Sequence, residues 1–189
     1  MPQPRILVFA GSIRTGALSA KLAGLVAKEL SLLDAEASLI SLADYPMPIY
    51  DGDLEAREGP PESARKLRAL LAAHRGVFIA TPEYNASIPP LLKNTIDWIS
   101  RVRDPADPFK EGVFAIGATS NGRLGGYRAL IALRQVLELG LGALVLPEQV
   151  VIREAGQAFD EAGNLRDERT AKLLRSALRR LIAMAEADL

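Results

Sequence analysis

An open, parallel α/β sheet with helices on both faces is the fold this sequence predicts. Two observations carry the prediction. Five short runs rich in Val, Ile, Leu and Phe read as buried strands, and segments of helical periodicity separate them. The chain has 189 residues, 49% hydrophobic and 24% charged, enough for one domain over residues 1–189 whose core needs no staples.

In chain order the strands are "RILVFA" (5–10), "EASLISL" (36–42), "GVFIAT" (76–81), "GVFAIGAT" (112–119) and "ALVLPEQVVI" (143–152). Each is bounded by turn residues. After the first run, Leu18, Leu22, Leu25, Val26 and Leu33 trace one face of a helix. Leu67, Leu70 and Leu71 do so before the third run, and Leu174, Leu178, Leu181 and Ile182 in the last helix. The Pro-rich "DYPMPIYDGD" and "EGPPES" read as a long connection after the second strand, within one domain.

Two further helices are apolar on more than one face. "PPLLKNTIDWISRV" places Leu92, Ile96 and Ile99 on one stripe and Leu91, Trp98 and Val102 on another. "YRALIALRQVLELGL" sets Leu130, Leu133 and Leu137 beside Ile131 and Val136. A helix apolar nearly all round is buried on two sides, and a second subunit is expected to cover the second side. The expected assembly is a homodimer or tetramer. Lys93 and Asp97 form an i,i+4 pair, read as solvated or interfacial.

Composition excludes several function classes. There are 23 basic and 23 acidic side chains, so no net field recruits nucleic acid or an anionic membrane. The chain has no cysteine, which removes disulfides, thiol nucleophiles and cysteine-held metals, and its single histidine, His74, removes histidine cages. No metal is expected. The N-terminal "MPQPRILVFAG" reads as a strand and not a signal peptide, and no apolar stretch approaches the ~20 residues that cross a bilayer. The expected setting is the cytoplasm, with no membrane insertion.

In open parallel sheets, ligands sit beyond the carboxyl ends of the strands, where strand order reverses. Three loops at that edge carry the information. The first, "GSIRTGALS", has Gly11, Ser12, Arg14, Thr15, Gly16 and Ser19 ahead of a helix whose free N–H groups favour an anion. A Walker loop would need Lys and Ser/Thr after Gly16, where Ala17 and Leu18 stand, and no G-x-G-x-x-G follows Gly11. The loop alone leaves two readings, an anion seat or an ordinary helix cap. The second loop, "TPEYNASIPP", contains Pro82, Glu83, Tyr84 and Asn85, which continue neither strand nor helix. The third, "TSNGRLGG" (119–126), carries Ser120 with Gly122, Gly125 and Gly126, which would let backbone approach a flat ligand closely.

Together, "GSIRTGALSAKLA", "PEYNASIPPLLKNTIDW" and "GATSNGRLGGYRALIALR" make the chain resemble the NAD(P)H-dependent FMN reductases, the group with quinone, azo and chromate reductases. The resemblance runs over nearly the whole length. It implies a flavodoxin-like fold with strand order 2-1-3-4-5. It also implies FMN as cofactor and NAD(P)H as co-substrate. By it, Ser12, Arg14 and Ser19 hold the FMN phosphate, with Gly11 a further cofactor-binding residue; Pro82, Glu83, Tyr84 and Asn85 line the isoalloxazine; Ser120 and Gly122 approach its other edge. Ala17, where many relatives have a hydroxyl residue, and Ser19, where asparagine is common, depart from the pattern.

A bound flavin brings its own hydride chemistry at N5, so no protein residue need be catalytic. NAD(P)H would reduce the ring, leave, and give its place to a small-molecule oxidant such as a quinone, chromate, an azo compound or a ferric complex. That order is ping-pong. Backbone N–H groups around residues 83–86 are expected at the ring's polar edge. Glu83 reads as turning the backbone or pairing with a nearby cation, and His74 as a surface or helix-terminal residue. Arg101, about 16 Å along its helix from Pro90, is either a C-terminal cation or a substrate contact reaching across a dimer. Rival classes are a flavodoxin-type electron carrier, disfavoured by the balanced charge, and a phosphate-binding module without turnover.

Overall fold

The computed structural model describes residues 4–103 and 106–187. The strands are β1 (Arg5–Ala10), β2 (Glu36–Ile40), β3 (Gly76–Pro82), β4 (Val113–Thr119) and β5 (Leu144–Ile152). They form one all-parallel sheet in the order β2-β1-β3-β4-β5. The helices are α1 (Leu18–Leu32), α2 (Gly52–Glu58), α3 (Glu62–Ala72), α4 (Pro90–Arg101), α5 (Pro108–Glu111), α6 (Tyr127–Arg134) and α7 (Glu168–Glu186). Each strand lies within two residues of the apolar run that predicts it. The connection after β2 contains more than turns, since Asp51 caps α2 by accepting from the Asp53 and Leu54 amides.

Successive side chains of a strand face opposite sides, so the sheet is buried twice. Leu7, Phe9, Val77, Ile79, Phe114 and Ile116 pack beneath α3, α4 and α6. Ile6, Val8, Phe78, Ala80, Val113 and Ala115 pack beneath α1 and α7. The helix after β1 therefore lies on one face and the helix after β3 on the other, and their departing loops part above the β1–β3 junction. Register aligns the strand ends there, with Ala10 opposite Ala80 and Pro82 opposite Thr119.

Three sequence expectations need correction. The second stripe of α4 is covered by its own chain: the fully buried Trp98 donates Nε1–H to the Pro48 carbonyl (2.7 Å), and Tyr50 meets its ring edge-on. Asn94 fixes the same segment, accepting from the Tyr50 amide at 2.8 Å and donating to Pro48 O at 2.9 Å. His74 is not at the surface. It is 3% exposed, with Nδ1 2.7 Å from Leu70 O and Nε2 2.8 Å from Ser38 Oγ. Burial pushes its pKa below the ordinary histidine value. Finally, β5 is broken between Val145, paired with Phe114, and Gln149, paired with Ile116. Pro147 lies in that bulge, where a missing N–H does no harm, and Arg134 donates to the Val145 and Leu146 carbonyls.

Candidate flavin site

The β1–α1 loop leaves the sheet through Gly11, whose N–H donates to Ala80 O (2.8 Å). Arg14 N–H donates to Ser12 Oγ (3.3 Å), and Ala17 N–H to Arg14 O (3.0 Å), curling the loop on itself. The first bond of α1 runs from Lys21 N–H to Ala17 O, so the three preceding amides lack intrahelical acceptors. Ala17 offers no side-chain cap, and the first turn holds no acidic residue. By contrast Asp51, Asp107 and Asp167 cap α2, α5 and α7 with carboxylates.

Ser19, in that open first turn, is fully buried, and its hydroxyl has no partner among the described residues. Arg14 is exposed and makes no side-chain ion pair among them. An unpaired guanidinium, free amides and an unsatisfied hydroxyl, with no carboxylate among them, form a donor set that fits a phosphate. Ser12 is half-buried beside it.

The β3–α4 loop is a tight hairpin. Tyr84 and Ser87 exchange both backbone bonds, at 2.9 and 3.0 Å. The two residues between them, Asn85 (φ 49°) and Ala86 (φ 66°), are left-handed, as a type I′ turn requires. Asparagine tolerates that conformation, whereas alanine carries a cost of about 1–2 kcal/mol. The turn holds Tyr84 out at 47% exposure. Its geometry also revises one expectation: the Tyr84 amide is engaged by Ser87, which leaves Asn85 and Ala86 as the open amides. Pro89 and Pro90 then start α4, where a missing N–H is harmless.

Glu83 does not face the crevice. Its side chain is only 6% exposed and pairs with Arg128. The carboxylate accepts from Arg128 Nε (2.9 Å) and Nη2, and from the Arg128 and Ala129 amides (3.1 and 3.4 Å). Burial raises its pKa, but the guanidinium and the amides outweigh burial and hold the carboxyl below its ordinary value. Glu83 therefore caps α6 from another loop and joins the second loop to the third. Arg128 escaped the sequence reading. The available signal was a cation in the first turn of a helix, where the dipole disfavours it unless a carboxylate is near.

In the third loop, Ser120 N–H donates to Ile152 O, Ser120 O accepts from Ala155 N–H, and Asn121 Oδ1 accepts from Gly156 N–H at 2.9 Å. The glycines divide into two roles. Gly125 (φ +62°) and Gly126 (φ +90°) are left-handed, and a Cβ there would lie 2.5 Å from Val151 Cγ1 and 2.8 Å from Ala118 Cβ. They serve packing, and not approach to a ligand. At Gly122, whose N–H donates to Ser120 Oγ (3.1 Å), a Cβ would meet only that oxygen, at 3.6 Å. Only Gly122 leaves the loop open.

Arg101 lies at the far end of α4, over the Tyr50 ring (5.2 Å) and 3.7 Å from Glu55 Oε2. The structure brings Gly11, Ser12, Arg14, Ser19, Pro82, Tyr84, Asn85, Ser120 and Gly122 to one sheet edge, and leaves Arg101 outside it. Among the described residues no group of three or more His, Asp or Glu could hold a metal ion, and no helix is long and apolar enough to cross a membrane.

Residues 4–157 match the family described as NADPH-dependent FMN reductase. An NAD(P)H-dependent FMN reductase of Pseudomonas aeruginosa is 37% identical over 183 residues, covering 94% of this chain and 92% of the relative. A quinone reductase of Escherichia coli is 38% identical over 147 residues, 75% of this chain and 73% of the relative. The solved structure of a flavoenzyme NAD(P)H:(acceptor) oxidoreductase from Paracoccus denitrificans superposes with a TM-score of 0.80, at 29% identity and 98% coverage of both chains.

Proposed function

Since the chain belongs to the NADPH-dependent FMN reductase family, we propose that it is an NAD(P)H-dependent quinone reductase whose donor and acceptor take turns in one crevice. The observation that carries this reading is the open N-terminus of α1, with Arg14 unpaired and the Ser19 hydroxyl unsatisfied beneath the β1–β3 junction. FMN, when bound, supplies hydride acceptance and donation at N5 of its ring.

The chain's own residues bind and orient. Ser12, Arg14, Ser19 and the first amides of α1 hold the phosphate. Pro82, Tyr84 and Asn85 line one edge of the ring, with the Asn85 and Ala86 amides free to donate, and Ser120 and Gly122 close the other. Glu83 keeps those two walls in register through Arg128 and takes no proton, because its carboxylate is already held by four donors. Donor and oxidant share the face of the ring beside the exposed Tyr84. That requires a ping-pong order. Quinones are the acceptors this reading names, and chromate, azo compounds and ferric complexes are further oxidants for the same face.

The assembly belongs to the proposal. Ile131 on α6 (48% exposed) and Leu139 in the helical turn that continues it over Gln135–Gly140 (83%) leave a second face uncovered, beside a groove with Ile88 and Val136. A second copy on this surface makes a homodimer, which can pair again into a tetramer. Light scattering at micromolar concentration should give a dimer or larger, and Leu139→Asp should shift it toward monomer. A monomeric parent refutes the assembly.

An absorption spectrum followed by anaerobic NADPH titration tests the activity. Flavin bands that bleach rapidly, and recover on adding a quinone, support the reductase. Flavin indifferent to both NADPH and NADH would make the protein a carrier, and absence of flavin binding would make it a binding module.

A further inference from the structure

A cleft of about 540 Å³ lies against β5, outside the flavin crevice. That strand is an edge of the sheet, pairing among the described residues only with β4. Gln149 and Val151 alternate along it and so share one face, which together with Arg153, one residue past the strand's end, forms a wall of the cleft. Tyr127, 42% exposed at the start of α6, and Leu173, 40% exposed on α7, add apolar surface. Asp167 at the start of α7 completes the lining.

Arg153 is exposed and makes no hydrogen bond or ion pair among the described residues. A guanidinium without a carboxylate partner on a cleft wall is available to an anion. Its stem packs on Gly125 of the third flavin loop, where a glycine Cβ would lie 2.8 Å from Arg153 Cγ. The cleft thus begins one loop away from the ring's edge.

That separation limits the ligand. A molecule acting at the ring while filling this cleft must have two parts joined by a linker. The wall selects the chemistry of the distal part: an exposed aromatic face for a flat ring, an amide at Gln149 for its polar edge, a cation for phosphate and a carboxylate for sugar hydroxyls. We propose that the cleft receives the adenosine-phosphate half of NAD(P)H, with Arg153 on phosphate and Tyr127 against the purine. The proposal rests on the family's nicotinamide donor and adds where its far end binds. A cleft of this volume lies within the range that holds such ligands.

The test uses the FMN-loaded enzyme and two variants, Arg153→Gln, which keeps the stem that packs on Gly125, and Tyr127→Leu. With NADH and NADPH, Arg153→Gln should raise KM about 10-fold, the value of one charge-assisted hydrogen bond at an open site. A rise with NADPH alone assigns Arg153 to the 2′-phosphate, and a rise with both assigns it to the pyrophosphate. KM for the quinone should stay unchanged. Reduced nicotinamide mononucleotide, which lacks the adenylate half, should be used by parent and variants alike. Calorimetry with ADP-ribose and 2′-phospho-ADP-ribose supplies a readout independent of turnover. Arg153→Gln should weaken both by a similar factor if Arg153 meets the pyrophosphate, and only the second if it meets the 2′-phosphate. A KM for both nucleotides within about twofold of the parent, or an equal change with the truncated donor, overturns the assignment. If the parent oxidises neither nucleotide, the functional reading falls, yet calorimetry still decides the cleft. Binding of ADP-ribose and of 2′-phospho-ADP-ribose both indifferent to Arg153 refutes it.

Discussion

Replacing Glu83 tests the claim that the flavin walls are held together by one buried carboxylate. In Glu83→Ala, the Arg128 and Ala129 amides lose their shared acceptor at the start of α6, and the Arg128 guanidinium loses its partner. Arg128 is half-exposed, so water can replace much of its share, and the exposed ion pair is discounted accordingly. The amides and the helix dipole remain: about 1–3 kcal/mol for donors left unsatisfied and about 0.3–1 kcal/mol for the lost charge at a helix N-terminus. Together they give ~1–4 kcal/mol, which in a chain of this size lowers Tm by roughly 3–16 °C. Glu83→Gln keeps an acceptor and loses the charge, so it should cost about 1 kcal/mol.

The pH dependence follows from the direction of the shift. Glu83 has its folded pKa depressed below 4.5, so its contribution is complete above that value and is lost as pH falls through the lower folded one. The gap in urea midpoint between parent and Glu83→Gln should therefore be constant at neutral pH and close in acid. FMN affinity, read by fluorescence quenching, should fall with stability, because the second and third loops lose register. A Glu83→Ala protein with parental Tm at pH 7 and parental FMN affinity would refute the reasoning.

Arg14→Ala should weaken FMN binding by roughly 10–150-fold, the worth of a hydrogen bond to a charged group; saturating FMN should then restore kcat. Full retention of FMN affinity by fluorescence titration would remove Arg14 from the phosphate. Gly126→Ala should destabilise the fold by about 1–2 kcal/mol from its left-handed backbone alone, more with the Ala118 contact. Gly122→Ala should leave the melting curve unchanged and weaken FMN; equal melting losses in both would erase the distinction drawn between them. His74 has a folded pKa below the unfolded 6.5, so the unfolded chain binds its proton first and stability should fall as pH drops below that value. Denaturant midpoints at pH 7.5 and 5.5 should show that loss, and a His74→Gln variant should show less of it.

The sheet was legible in the sequence because its cause is local. Val77, Phe78, Ile79 and Ala80 are apolar without alternation, and only a strand buried on both faces wants that pattern. The three loops were legible for the same reason, since Pro82, which the sequence reads as following the strand and the structure makes its last residue, and Gly11 before a helix are local breaks. The resemblance could attach roles to Ser12, Arg14 and Tyr84 because each sits at a fixed offset within one motif. Partners far apart along the chain were not legible. Glu83 meets Arg128 across 45 positions, Trp98 meets Pro48 across 50, and His74 meets Ser38 across 36. No periodicity reports such pairs, because packing of the helices on the sheet, and not spacing, brings them together. The glycines show the division most clearly. In sequence Gly122, Gly125 and Gly126 look alike, yet two are enclosed by Val151 and Ala118 and one faces open space. Local chemistry sets what a backbone can do, and only the neighbouring strands decide whether anything is left there to bind.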